Sequence, residues 1–258
     1  MNGKPSAEEG QRPEQELTEI HKIPPDAIIK NFIPEINLDG LKNQDGVLVG
    51  DTHTNGTTSS AIGMEIVLGH FSRIKSIADI DSNEGRQMKE LLQRFAGGII
   101  VDLGAGMSEL AYIFSQNLKA GGYVGVEPVY SAELQNNVQT QADKNKKSES
   151  AIPFVVVAEN MLKFLKRLPD GSASVLASNI DLHVIPNKKI LEEIGREIDR
   201  VIGTKNAFVI NHSEIPLPSN QSYRIVYKNE LPGVQAFDDT RGGFNGKLYE
   251  MSVIVKDK

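Results

Sequence analysis

Ile99-Ile-Val-Asp102-Leu-Gly104-Ala-Gly106-Met-Ser108 joins a short apolar run to two glycines and then to a helical period. A strand, a tight turn and a helix follow from that order, with Ser108 as N-cap and apolar Leu110, Ala111, Ile113, Phe114 and Leu118 on one helical face. Gly121-Gly122 stops the period, and Tyr123-Val-Gly-Val126 begins the next strand. The alternation continues. A helix is predicted from near Ser131, a strand over Pro153 to Val157, and a short helix carrying Met161, Leu162, Phe164, Leu165 and Leu168. A fourth strand covers Ala173 to Ala177, a long helix carries Ile190, Leu191, Ile194, Ile198, Val201 and Ile202, and a fifth strand covers Ala207 to Ile210. Strands separated by helices imply parallel neighbours with crossovers and helices on both faces. The final runs, Tyr223 to Tyr227 and Leu248 to Val255, have no helix between them and predict an antiparallel edge hairpin. The fold class is therefore α/β: a doubly wound, mostly parallel sheet of seven strands.

Upstream, residues 1–25 are polar and Glu-rich and close with Pro24-Pro25, which predicts a disordered tail. Residues 26–97 read as an amino-terminal cap or helical extension. Helices are predicted over Ile62 to Ile77 and Asn83 to Phe95, with a polar loop, Asp51 to Ser60, ahead of them. Residues 98–258 form the ligand-binding domain. At 258 residues the chain is long enough for core burial alone to hold it, and 39% hydrophobic content is too rich for disorder throughout. No apolar run approaches the roughly 18 residues of a membrane span, and the amino end lacks the apolar stretch of a signal peptide. The expected setting is the cytoplasm. With no cysteine there is no disulfide, thiolate metal site or cysteine nucleophile, and a net charge of −6 argues against a nucleic-acid partner.

Ligands of doubly wound sheets bind beyond the carboxyl ends of the strands, near the reversal in strand order. Four tips qualify: Asp102 to Gly106, Glu127-Pro128, Ala158 to Asn160, and Ser178 to His183. Gly104 and Gly106 permit close backbone approach, and the helix start near Ser108 supplies unpaired amides. A dinucleotide site would want a small residue where Glu109 stands, and that carboxylate would repel a pyrophosphate. Asp102 suits a cationic ligand. Glu127 can accept both hydroxyl hydrogens of a ribose, and Glu159 can accept from an exocyclic amine, which adenine and guanine both offer. S-adenosylmethionine meets these demands without a phosphate. No histidine pair has metal-ligand spacing and the carboxylates define no magnesium site, so no metal is expected.

From Ile99 to about Val209 the chain resembles the class I, Rossmann-like, S-adenosylmethionine-dependent methyltransferases. Their first motif is similar to Val101-Asp102-Leu-Gly104-Ala-Gly106, their second to Val124-Gly-Val-Glu127-Pro128, and the pair after their third strand to Glu159-Asn160. Their fourth motif is similar to Val175-Leu-Ala-Ser-Asn179-Ile-Asp-Leu-His183. The resemblance implies that Asp102 sits near the methionine amino group and that Glu127 binds the ribose. It also implies that Glu159 and the Asn160 backbone hold the adenine, and that Asn179 lies beside the sulfonium. Ser108 in place of a third glycine, Ser174 in place of a common aspartate, and the two prolines of Ser213 to Asn220 depart from the pattern.

The chemistry implied is methyl transfer to a small molecule, with a protein acceptor as a further candidate. His183 is the tempting base, or else a packed histidine; Asp181 is a second candidate, or merely the start of the next helix. His212 and Glu214 face the substrate side of this scheme, Phe71 and Arg73 belong to a packed helix, and the 229–247 connection supplies a lid or a mobile surface segment. Two competing readings are a non-catalytic module of the same fold and, disfavoured by Glu109, an NAD-dependent oxidoreductase.

Overall fold

The computed structural model describes residues 23–50, 62–106, 109–145, 147–178, 180, 185–211, 213, 215–231, 237–238, 243–244 and 249–257. The sequence alternation folds as helix α1 (Pro25–Phe32), strands β1 (Lys42–Gln44) and β2 (Val47–Val49), and helices α2 (Ile62–Ala78) and α3 (Asn83–Phe95). There follow β3 (Ile99–Leu103), α4 (Glu109–Asn117), β4 (Gly122–Val126), α5 (Ala132–Asn145), β5 (Phe154–Ala158), α6 (Met161–Leu165), β6 (Ser174–Ser178), α7 (Lys188–Ile202) and β7 (Ala207–Asn211). The carboxyl-terminal part holds β8 (Tyr223–Leu231), β9 (Phe237–Asp238), β10 (Gly243–Phe244) and β11 (Tyr249–Lys256).

One sheet of nine strands runs β1-β2-β5-β4-β3-β6-β7-β11-β8, and β9 and β10 form a separate antiparallel pair. The six strands from β2 to β7 in that order are mutually parallel. β11 returns antiparallel against β7, and β8 pairs antiparallel with β11 at the margin. The expectation of a doubly wound, mostly parallel sheet with an antiparallel final pair holds. Seven strands become nine because β1 and β2 join the sheet. Asp45 and Gly46 take φ values of 49° and 83°, the positive pair that a two-residue hairpin requires, and that turn brings Lys42–Gln44 onto Val47–Val49. β2 then docks beside β5, with Leu48 opposite Val157.

Side-chain alternation sorts the core. Val155 and Val157 face the cluster built by α1, α6 and α7, where Phe164, Leu165, Ile194 and Ile198 are fully buried. Ile100, Tyr123 and Leu176 face the cluster of α2, α3 and α4, with Phe71, Leu91 and Phe114. α5 covers β2 and β5 with Leu134 and Val138. α3 begins at Ser82, whose hydroxyl accepts from the Gly85 amide at 2.9 Å; α7 begins at Asn187, which accepts from Lys189 N at 3.1 Å. Residues 215–222 carry no helix between β7 and β8, as the two prolines there predict. No helix among the described residues is long and apolar enough to cross a membrane.

Candidate functional site

The strand order reverses at β3. From it the chain steps out through β4 and β5 on one side and through β6 and β7 on the other, so the carboxyl ends of β3 and β6 flank the crevice where such sheets take ligands. The bend after β3 fills its floor. Gly104 and Gly106 have φ of 68° and 52°, which a side chain would strain, and the amides of Gly104 and Ala105 both donate to Val126 O, at 2.9 and 3.0 Å. The turn is thereby bound to the tip of β4. Ile180, after β6, closes from the other side, since a Cβ on Gly104 would lie 3.6 Å from its Cδ1. Ser213 fixes that residue by accepting from Ile180 N at 2.9 Å while donating to Ala177 O at 3.2 Å.

Two carboxyl groups lie in this bend. Glu127, 6% exposed, accepts from Gly106 N through Oε2 at 2.8 Å and from Val129 N through Oε1 at 3.1 Å. Burial raises its pKa, and the two amides work against that rise. Asp102, 2% exposed, accepts from the Tyr123 hydroxyl at 2.9 Å. Burial pushes its carboxyl up to about 7; the Tyr123 bond pulls the other way, and the Glu127 charge adds to the rise. Near neutral pH the pair therefore resists carrying two negative charges, and a cationic ligand would relieve it. The sequence reading did not find Tyr123 as the partner of Asp102. The register explains it: Tyr123 lies opposite Ile100, two residues before Asp102 on the same face.

Glu159 belongs to a different contact set. It is completely buried, and both oxygens accept from Arg167, Oε2 from Nε and Oε1 from Nη2, each at 2.8 Å. Lys163 Nζ stands 3.4 Å from Oε1. Asn160 is exposed at the same tip and caps α6, its Oδ1 accepting from Leu162 N at 3.0 Å and Lys163 N at 3.3 Å. The structure thus brings Asp102, Gly104, Gly106 and Glu127 together, while the Glu159 carboxylate is engaged by Arg167, a residue the sequence reading passed over.

Asn179, Asp181 and His183 lie outside the described residues, as do Ser108, His212, Glu214, residues 1–22 of the tail and most of the 229–247 connection. Phe71 packs edge-on against Phe114 at 5.5 Å and Arg73 donates to Asn229 Oδ1 at 3.3 Å, so both serve to hold α2 in place. His70 is fully buried, with Nδ1 3.2 Å from the Tyr227 hydroxyl. A groove of about 560 Å³ between α1, α5 and the β1–β2 turn opens at the amino end of β5, on the side of the sheet away from the glycine bend.

No family model and no curated protein matches the sequence. Among solved structures the chain is similar to M. capricolum TrmK in complex with S-adenosyl-homocysteine, at 16% identity over 72% of this chain and 68% of that one, with a TM-score of 0.41. It is similar to the B. subtilis M1A22 tRNA methyltransferase TrmK, at 13% identity over 66% and 65% of the two chains, TM-score 0.41. It is also similar to a precorrin-6y C5,15-methyltransferase from Geobacter metallireducens GS-15, at 16% identity over 67% and 87%, TM-score 0.40.

Proposed function

We propose that this chain is an S-adenosylmethionine-dependent methyltransferase whose acceptor is a small molecule. The observation that carries the reading is the bend after β3, where two buried carboxyl groups stand beside two glycines at the reversal of strand order. An anionic diphosphate would be repelled there, whereas a cationic nucleoside finds acceptors and room for close backbone approach. That donor and acceptor set fits S-adenosylmethionine. Asp102 would face its amino group, Gly104 and Gly106 would lie against it, Glu127 would take the ribose hydroxyls, and Asn160 would contribute its backbone at the adenine. When bound, the cofactor supplies the electrophilic methyl group.

The protein's own work is then to hold the acceptor in line and to exclude water. Asn179 would stand beside the sulfonium, and Asp181 and His183 are the residues to test as a base for an acceptor that must first lose a proton. A net charge of −6 favours a small acceptor over a polyanion. Titration calorimetry with S-adenosylmethionine and NAD side by side tests the cofactor: heat with NAD alone would reverse the assignment. Transfer of labelled methyl groups into the small-molecule fraction of an extract, and not into its protein fraction, is the expected outcome for the acceptor. Label confined to protein would replace the small molecule by a protein.

A further inference from the structure

The carboxylate at the tip of β5 is fully buried, and both of its oxygens are engaged inside the protein. Arg167, 9% exposed in its side chain, holds both oxygens of Glu159 and in addition donates through Nη1 to Asn37 O at 3.1 Å and Asp39 O at 2.7 Å. One guanidinium therefore joins the turn after α6, the tip of β5 and the segment that leads into β1. The chain leaving β2 is held by the same group at second hand. Gly50 N donates to Ala158 O at 3.0 Å, and a Cβ on Gly50 would come within 2.6 Å of Glu159 Oε1. Gly50 thus lies flat on a carboxylate that cannot swing aside, because Arg167 grips both of its oxygens. The tip of β5 is the neighbour of the tip of β4, where Glu127 stands, so it is the place for the base of a nucleoside whose ribose is held at Glu127.

We propose that Arg167 is a positioning residue for the base end of the crevice: it withdraws Glu159 from the ligand and fixes the chain at Gly50 and at Asn37 to Asp39 against the tip of β5. The exocyclic amine of the purine is then met by groups other than this carboxylate. The inference rests on the S-adenosylmethionine reading and adds to it. It also departs from the sequence-based expectation that Glu159 accepts from that amine.

Calorimetric titration with two probes, S-adenosylhomocysteine and S-inosylhomocysteine, separates the possibilities, because the second carries a 6-oxo group where the first carries the amine. In Glu159→Gln the ratio of the two Kd values should stay within about twofold of wild type, since the side chain does not touch the base. In Arg167→Met both probes should weaken, on the order of tenfold or more, as expected for misplacement without loss of a direct contact. Its Tm should fall by roughly 10 °C, because a buried carboxylate has lost its bidentate partner and keeps only Lys163 beside it. The double variant Glu159→Leu with Arg167→Met should recover the Tm, apolar side chains having replaced the pair, yet leave both probes weak. That split distinguishes positioning from mere structural support.

A collapse of the ratio in Glu159→Gln would overturn the proposal, since it would place the carboxylate on the base. Full recovery of affinity in the double variant, or unchanged affinity in Arg167→Met, would overturn it as well. Wild-type protein that binds neither probe would instead defeat the cofactor reading and take this inference with it, a result distinct from all the others.

Discussion

Replacing Asp102 with asparagine tests the electrostatics of the bend most directly. The folded chain releases this proton at about 7, against 3.8 for an ordinary aspartate. Between those values the folded protein holds a proton that the unfolded chain has lost, so folding stability falls as the pH rises through that window. Each unit is worth about 1.4 kcal/mol, and a gap of about three units brings the loss to about 4 kcal/mol by pH 8. Asparagine can still accept the Tyr123 hydroxyl bond, but it cannot ionise. The stability of Asp102→Asn relative to wild type should therefore be flat below pH 4, rise from pH 4 to 7, and level off above. Other carboxyl groups are common to both proteins and cancel, apart from Glu127, which is coupled to Asp102. Urea unfolding followed by circular dichroism from pH 4 to 8.5 measures the difference. Parallel curves for the two proteins would refute the reasoning. The same charge leaves a mark on binding. At pH 7 wild type should release about half a proton more than the variant on taking up S-adenosylmethionine, read from binding enthalpies in buffers of different ionisation enthalpy.

Glu127→Gln keeps the shape but leaves one of the Gly106 and Val129 amides facing an NH₂ group; affinity for S-adenosylmethionine should fall about 10- to 100-fold by calorimetry, and unchanged affinity would remove Glu127 from the site. Gly104→Ala meets Ile180 only at ordinary contact distance, so its cost is the left-handed backbone alone, about 1–2 kcal/mol in urea unfolding; a loss above about 4 kcal/mol would mean that the bend is packed more tightly than described. Gly50→Ala should cost more than Gly104→Ala, because its Cβ meets the clamped Glu159 carboxylate, and the reverse order would contradict that clamp. Ser213→Ala frees Ile180 N and Ala177 O and should cost about 1–2 kcal/mol by the same assay, with no effect expected if water replaces the hydroxyl without loss.

The glycine bend was legible because strand, turn and helix are consecutive, and each carries its own local signal in Ile99 to Leu118. Element limits moved by a residue or so: the third expected strand ends at Ala158 and the fourth at Ser178. The β1–β2 hairpin was missed although Asp45-Gly46 is a strong turn pair, because Lys42-Asn-Gln44 is polar throughout and shows no alternation. It is a strand only by virtue of the partner it pairs with. Glu159 was legible as a strand-tip acid, but its use was not. Arg167 is eight residues away in sequence, and nothing in that spacing tells that the guanidinium turns inward to both oxygens and to the carbonyls of Asn37 and Asp39. Tyr123 read as one more apolar strand residue until the parallel register set its hydroxyl on Asp102.

The place of β2 in the sheet also bears on how the chain comes off the ribosome. Val47, Leu48 and Val49 are buried in the finished protein, but their parallel partner β5 is translated about a hundred residues later, some 5–20 s at ordinary elongation rates. During that wait the triplet has as companions β1, across the turn at Asp45-Gly46, and the segment of α1 to Ile36, whose Ile29, Ile33 and Ile36 share a buried cluster with Leu48; the edge that later pairs with β5 stays open. Slow codons or a chaperone acting between synthesis of β2 and β5 would bear on yield more than the same delay after β6, when the central strands already have neighbours to join.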